Sequence, residues 1–377
     1  MTLIKLPAVL TDSTKQTLTP PIGLWSMREL SPIRVLDFNV MDLEDVKDDV
    51  VGYSLSFPSQ ESSLPLVRSM TSAKHEIVGG PHGGLLKIEG VQSHYGPGES
   101  LLQSGFSFAQ SPYPGFTDEE IRPYWEAKKP FGQKTATDRW IPMEFSRGCA
   151  HACGFCAMPK FWGKWEGKSL PIVESYLRWL SHIRDIHEVI VLDDNIAFQK
   201  DFFLAVLDLF HRYDIQWSAP NGIYAHNLMN KEALAALATS RCLALSLPFE
   251  TGCERTARLM HLGKKAFEKD QAMWLVKELH DMRIRTTGFF IIGYPGETED
   301  DVKETLAFAN SLPLDERYIY FATPYRGTRL YDLCVSNNYI EKNLDSATYK
   351  TPVISTPWLS RERLYELWLQ DRKDHAK

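Results

Sequence analysis

Nowhere in the chain does an apolar run reach the roughly 18 residues that a membrane-spanning helix needs. The first twenty residues also lack the charged, apolar, small-residue order of a secretory signal. Basic residues are outnumbered, 42 Lys and Arg against 48 Asp and Glu, for a net charge of −6. Bulk nucleic-acid binding rests on neutralising phosphates, so that balance counts against it and leaves only local basic clusters open. Cysteine is scarce: six thiols in 377 residues, with no secretory signal, do not look like a disulfide framework. Low-complexity tracts are missing, and no repeat occurs beyond an alternation of strand and helix. The remaining composition, 44% hydrophobic and 24% charged, is that of a globular protein and excludes a disordered or fibrous chain. At about 100–200 residues per domain, the length predicts two or three domains.

Residues 1–110 read as a short α/β domain. Apolar strand-like runs at 3–10, 33–38, 50–57 and 76–78 alternate with helix-compatible stretches at 23–30 and 63–72, which predicts a parallel sheet with helices on its faces. Pro58, Gly79-Gly80-Pro81 and Gly96-Pro97-Gly98 fall just after strands, at the carboxyl edge where open α/β sheets bind ligands. Taken singly, each glycine reads more simply as a tight turn. Residues 111–139 carry prolines and scattered charge without a sustained period; they read as a linker with one helical turn near Asp118–Ile121. From Trp140 onward, strands at 141–145, 189–193, 215–219, 243–249, 284–292 and 318–323 alternate with helices at 171–184, 199–212, 231–239, 266–282 and 299–311. Six units over 140–332 are too few for a closed eightfold barrel and predict an open, partial (β/α)6 barrel with its site at the carboxyl ends of the strands. Residues 333–377 form a C-terminal extension with a helical stretch at 360–373.

Three of the six cysteines crowd into eight residues directly after the first barrel strand, as Cys149-x-x-x-Cys153-x-x-Cys156. Thiolates so spaced can converge from one loop onto the corners of an iron–sulfur cubane. Three cysteines on a 4Fe–4S cluster leave one iron with an open position for substrate or cosubstrate. Gly148 and Gly154 are expected to keep the loop free of clashes and its amides available to the cluster sulfurs. A structural zinc site would want a closed set of four ligands, and His151, between two of the cysteines, is in an unusual position to be the fourth. Cys242, Cys253 and Cys334 are single and read as packing residues.

Cys149, Cys153 and Cys156, with Phe155 before the last of them, resemble the signature of the radical S-adenosylmethionine (SAM) superfamily. The later segments agree: Val191-Leu192-Asp193-Asp194-Asn195, Pro220-Asn221-Gly222-Ile223, Pro248-Phe249-Glu250-Thr251-Gly252, Phe290-Ile291-Ile292-Gly293-Tyr294-Pro295-Gly296-Glu297-Thr298 and Ala322-Thr323-Pro324-Tyr325-Arg326-Gly327-Thr328 are similar to its strand motifs. Thr19–Leu24, Asp49–Ser54, Val78–His82 and Gly96–Glu99 are similar to motifs of the subgroup with an N-terminal cobalamin-binding domain. The resemblance covers about residues 1–335. It implies a short Rossmann-like, cobalamin-binding-like sheet followed by a partial TIM-type radical SAM barrel and a small helical tail.

The resemblance further implies a 4Fe–4S cluster on the three cysteines and SAM chelated at the open iron. Reductive cleavage of the SAM would give a 5′-deoxyadenosyl radical. Phe155, Asp193, Asp194, Asn195, Glu250, Gly293, Pro295 and Gly296 are then the expected SAM contacts: Phe155 beside the adenine, Asp193 to Asn195 and Glu250 accepting from ammonium or ribose hydroxyls, and the glycines letting the backbone approach. For Asp194 and Asn195, capping of helix 199–212 is the plainer alternative. Phe57, Ser59, Gly79, Gly80, Pro81, His82, Gly96, Gly98 and Glu99 are the expected corrin lining. Two departures stand out. Tyr224 and His226 occupy positions where many relatives carry Arg and Asp, and the Asp-x-His-x-x-Gly run that supplies a lower axial histidine in other corrinoid proteins is missing.

Cobalamin-dependent methyl transfer to an unactivated carbon is the leading expectation. The alternative is cobalamin-independent radical chemistry (rearrangement, cyclisation, oxidation or sulfur insertion) with a degenerate N-terminal domain. A sulfur-inserting tRNA enzyme fits poorly, because the chain is acidic and shows neither a basic module after the barrel nor a second cysteine trio. A non-enzymatic iron–sulfur sensor fits poorly with so many cosubstrate motifs. The expected partners are a small-molecule or peptide substrate and a reducing protein of flavodoxin or ferredoxin type. An oxygen-labile cluster implies a reducing cytoplasm.

Overall fold

The computed structural model describes all residues except 7–19, 42–43, 56–62, 129, 131–134, 264–267, 343, 345–348 and 376–377, and the side chains of Pro81 and His82. The N-terminal part runs β1 (Thr2–Lys5), α1 (Ile22–Arg28), β2 (Arg34–Asp37), β3 (Val50–Ser54), α2 (Leu64–Ser69), β4 (His75–Gly79), the single turn α3 (Gly80–Gly83), β5 (Val91–Ser93) and α4 (Glu99–Leu102). Its five strands lie in the order β2-β1-β3-β4-β5, all parallel. Ile4, Leu36, Val51, Tyr53 and Val78 bury one face of this sheet against Leu64 and Val67 of α2. The doubly wound order reverses between β1 and β3, where such sheets bind ligands. The segments that leave those two strands, 7–19 and 56–62, lie outside the described residues, and Phe57 and Ser59 with them.

The region from 111 to 139 is more ordered than its composition suggests. A ten-residue helix, α5 (Asp118–Ala127), opens on a reciprocal capping box between Thr117 and Glu120 and contains Pro123. One turn had been expected there. The burial of Ile121 and Tyr124 overrides the helix-breaking proline.

The second sheet begins at β6 (Trp140–Met143). The chain then passes through β7 (Ser146–Arg147), α6 (Met158–Trp162) and β8 (Glu166–Gly167), the two short strands forming an antiparallel ribbon around the cysteine loop. Next come α7 (Leu170–His182), β9 (Glu188–Val191), α8 (Lys200–Arg212), β10 (Gln216–Ala219), α9 (Lys231–Thr239), β11 (Cys242–Glu250), α10 (Glu254–Leu259), α11 (Lys269–Asp281), β12 (Arg285–Ile292), α12 (Glu299–Ser311), β13 (Glu316–Phe321), α13 (Arg329–Ser336) and α14 (Arg361–Asp374). The six long strands lie in the order β13-β12-β11-β10-β9-β6, parallel throughout. This is the expected open (β/α)6 unit, with each connection returning over the helical face. Helix α11 buries Ala272, Leu275, Val276 and Leu279 as its spacing predicts. The main core runs from Trp140 and Phe145 through Phe203, Phe210 and Trp217 to Phe249, Phe290 and Phe308.

Candidate functional site

The cysteine loop leaves β6 and is pinned at three points. Asp193, buried just beyond β9, accepts from the Phe145 N–H (2.8 Å), the Ser146 N–H (2.6 Å) and the Ser146 hydroxyl (2.5 Å). Asp194 accepts from the Gly148 N–H at 3.2 Å. Gly154 donates its N–H to the Met260 carbonyl and accepts at its own carbonyl from the Leu330 N–H, both at 2.8 Å. Burial pushes the Asp193 carboxyl up to about 8 and that of Asp194 up to about 6, against the pull of these donors.

These bonds revise the expected division of labour. Both Asp193 oxygens are engaged by the loop's own N–H and O–H groups, so this residue positions the loop. The amides of Gly148 and Gly154, expected to face cluster sulfurs, are likewise bonded within the protein. Gly154 is needed for packing, since a Cβ there would overlap the Tyr294 hydroxyl. Nor do Asp194 and Asn195 cap the next helix: the N-cap of α8 is Gln199.

Of the thiols, Cys153 is buried, Cys149 and Cys156 are half-buried, and none is in a disulfide. The Asn195 amide links two strand ends to this loop. Its Nδ2 lies 3.9 Å from Cys149 Sγ, its Oδ1 accepts from the Tyr224 N–H at 3.1 Å, and its carbonyl accepts from Trp165 Nε1 at 3.1 Å. Three thiols from one loop are the donor set of an iron–sulfur cluster with one open position. Among the described residues no three His, Cys, Asp or Glu side chains stand in metal-holding geometry.

Glu250 ends β11 beyond a register shift. It is buried and held at φ +66°, in the left-handed region that non-glycine residues avoid. Phe155 is half-buried and packs against the cluster that contains Met260, Tyr294 and Ala322. Gly293 (φ +84°) and Gly296 (φ +100°) need their conformations, but the space beside their Cα atoms is taken by Leu364 of α14 and Leu259 of α10. Both glycines allow helix packing under the Tyr294-Pro295 turn. Glu297 is fully buried and accepts from the Tyr294 N–H (2.7 Å) and the Thr256 hydroxyl (3.1 Å), and burial pushes its carboxyl up to about 7.

The carboxyl edge of the N-terminal sheet meets this loop. Glu99, the first residue of α4, bonds Arg147 Nη2 at 3.0 Å. Tyr95, just after β5, packs edge-on to Phe161 of α6 at 5.3 Å between ring centroids, and Leu85 reaches Gly327 beyond β13. Gly80 (φ +90°) lies against the Leu55 backbone and Gly98 against Met27, so these glycines serve the sheet's own packing. Gly79 ends β4, Gly80, Pro81 and His82 fall in α3, and Gly96 (φ +130°) precedes α4. Sequence reasoning missed an aromatic row beside the cysteines. Tyr224 lies 4.6 Å from His151 and 5.3 Å from His226, and Phe198 lies 6.0 Å from His151. The replacement of Arg and Asp by Tyr224 and His226 was the signal that could have found it.

Residues 143–309 match the family model described as the radical SAM superfamily. The chain is 27% identical over 303 residues to a cytidylyl-2-hydroxyethylphosphonate methyltransferase from Streptomyces wedmorensis, covering 77% of this chain and 55% of that protein. It is 29% identical over 228 residues to an uncharacterized methyltransferase from Pyrococcus horikoshii, covering 59% and 48%. The chain thus spans about half the length of these curated relatives. Its fold is that of the radical S-adenosylmethionine methyltransferase TsrM from Kitasatospora setae, a structure with cobalamin and a [4Fe-4S] cluster bound; the TM-score is 0.68 at 14% identity, over 91% of this chain and 79% of that one. The cysteine loop and the strand-end motifs up to Thr298, set along one parallel sheet, lie within the stretch that matches the radical SAM superfamily model.

Proposed function

We propose that this chain is a cobalamin-dependent radical SAM methyltransferase acting on an unactivated carbon. In this reading residues 1–110 hold the corrinoid, 111–139 cross to the barrel at 140–332, and 333–377 extend it. One observation carries the proposal: the carboxyl edge of the N-terminal sheet abuts the cysteine loop, through Glu99 on Arg147 and Tyr95 on Phe161. A group held at that edge lies next to one held by the thiols. The cluster supplies the electron that cleaves SAM, and the corrinoid the methyl group. Cys149, Cys153 and Cys156 hold the cluster. Asn195 and Asp194 keep Cys149 and Gly148 in place from the end of β9. Glu250 offers a buried carboxylate to a ribose hydroxyl, Phe155 an apolar face to adenine, and the turn Gly293-Tyr294-Pro295-Gly296 closes the edge beside them. The substrate is a small molecule or peptide. A flavodoxin- or ferredoxin-type protein supplies electrons, and the oxygen sensitivity of such a cluster calls for a reducing cytoplasm.

The test is anaerobic reconstitution with iron, sulfide and hydroxocobalamin, then gel filtration and an absorption spectrum. Iron–sulfur bands with one corrinoid per chain support the reading. A cluster without corrinoid removes the methyl-transfer half and leaves cobalamin-independent radical chemistry. Replacing Cys149, Cys153 or Cys156 by Ala should abolish cluster and SAM cleavage together; turnover in such a variant would sink the assignment.

A further inference from the structure

Arg147 is a buried cation (7% exposed) two residues before Cys149. Its guanidinium is held from four directions. Glu144, at the end of β6, takes Nη2 at 2.8 Å and Nε at 3.1 Å, and Glu99 takes Nη2 at 3.0 Å. Phe108 and Trp162 offer their ring faces at 4.4 and 4.6 Å. Glu99 and Phe108 come from the N-terminal part, and Glu144 and Trp162 from the two sides of the cysteine loop. Nη1 is buried and has no hydrogen-bond partner among the described residues, leaving its two N–H donors for acceptor oxygens of a bound group. Two carboxylates around one buried guanidinium are poor value for stability alone, because desolvation offsets their attraction; what such a cluster does specify is relative position.

We propose that Arg147, gripped by Glu99, is the positioning residue that registers the corrinoid-side loop Gly96–Glu99 against the cluster loop. The inference rests on the cobalamin reading above. Glu99 pulls its own loop toward the cysteines, so the separation of the two cofactor-bearing edges is set at this one guanidinium. Glu99→Gln keeps the shape and removes one charge of the grip. Arg147→Lys keeps the charge and loses the planar fork that serves two carboxylates.

The experiment uses the full chain, reconstituted anaerobically with iron and sulfide and titrated with hydroxocobalamin. Both variants are expected to raise the corrinoid dissociation constant by about tenfold or more, the scale set by truncating one partner of a buried charge pair. They should also alter the magnetic coupling between the reduced cluster and cobalt(II) seen by electron paramagnetic resonance. The double variant Glu99→Gln/Arg147→Lys should be scarcely worse than either single, as for a pair acting as one unit. A lower melting temperature with unchanged corrinoid affinity and unchanged coupling reduces the pair to a structural contact and overturns the inference. Failure of the wild-type chain to take up corrinoid overturns the cobalamin reading itself, and this inference with it.

Discussion

Glu250 is a buried carboxylate on a left-handed backbone at the tip of a strand, two costs at one position. A non-glycine residue held there forfeits on the order of 1 kcal/mol relative to glycine. Glu250→Gly is therefore expected to leave the melting temperature unchanged or higher while SAM binding falls by about tenfold or more. Calorimetry and equilibrium dialysis with SAM read the two halves, and a variant with unaltered SAM affinity would remove Glu250 from the site. Glu297 is buried and bonded to the Tyr294 N–H and the Thr256 hydroxyl. Its carboxyl is raised from the ordinary 4.5 to about 7, so the folded chain keeps a proton there that the unfolded chain has released. The proton is in the folded state, so this group makes stability fall as pH rises through that window. Glu297→Gln should flatten the fall between those pH values in denaturant titrations. An unchanged slope would show that the carboxyl stays ionised when buried.

At the scale of elements, the strand-end turns depend on what packs beneath them. At Gly293 a Cβ would overlap Leu364 of α14, and φ +84° is left-handed as well. Gly293→Ala should therefore cost about 1–3 kcal/mol. On a Leu364→Ala background, where the overlap is gone, Gly293→Ala should still cost about 1 kcal/mol for the backbone alone; no loss relative to Leu364→Ala in urea titrations would show that φ carries no cost. Here the limits of the sequence are also visible. The six barrel strands and five helices were legible because alternating apolar blocks with fixed spacing report burial directly. Helix α5 was not, because Pro123 and a charged first turn read as coil, while the contacts that hold Ile121 and Tyr124 come from residues far away in the chain. Strand β5, three residues with Gln92 and Ser93 among them, is too short to show a period of two. The cysteines and the strand-end acids were found by position; that Asp193 faces the loop and Gly293 faces α14 follows from tertiary packing that no local pattern records.

For the whole molecule, the question is whether the two sheets are separate bodies joined by a linker. The interface argues against that. Trp25 of α1 stacks on Phe116 at 6.1 Å and meets Tyr124 edge-on at 6.4 Å, within the core that continues into the barrel. The Tyr124 hydroxyl donates to Asp37 at 2.7 Å, Lys5 sits on the same carboxylate at 3.1 Å, and Arg28 pairs with Glu120. The crossing segment is thus built into the contact, and the first sheet cannot loosen without exposing Phe116 and Tyr124 and taking Glu99 from Arg147. Trp25→Ala should cost about 3–5 kcal/mol, as for a large aromatic removed from a core. Because Trp25 bridges the sheets, that loss should lower one cooperative transition rather than split it. Scanning calorimetry on the cluster-loaded chain would show a single peak moved down in temperature. A barrel peak left in place beneath a separate, lower N-terminal peak would mean that the sheets fold independently, and that the Glu99–Arg147 contact joins two bodies otherwise free to part.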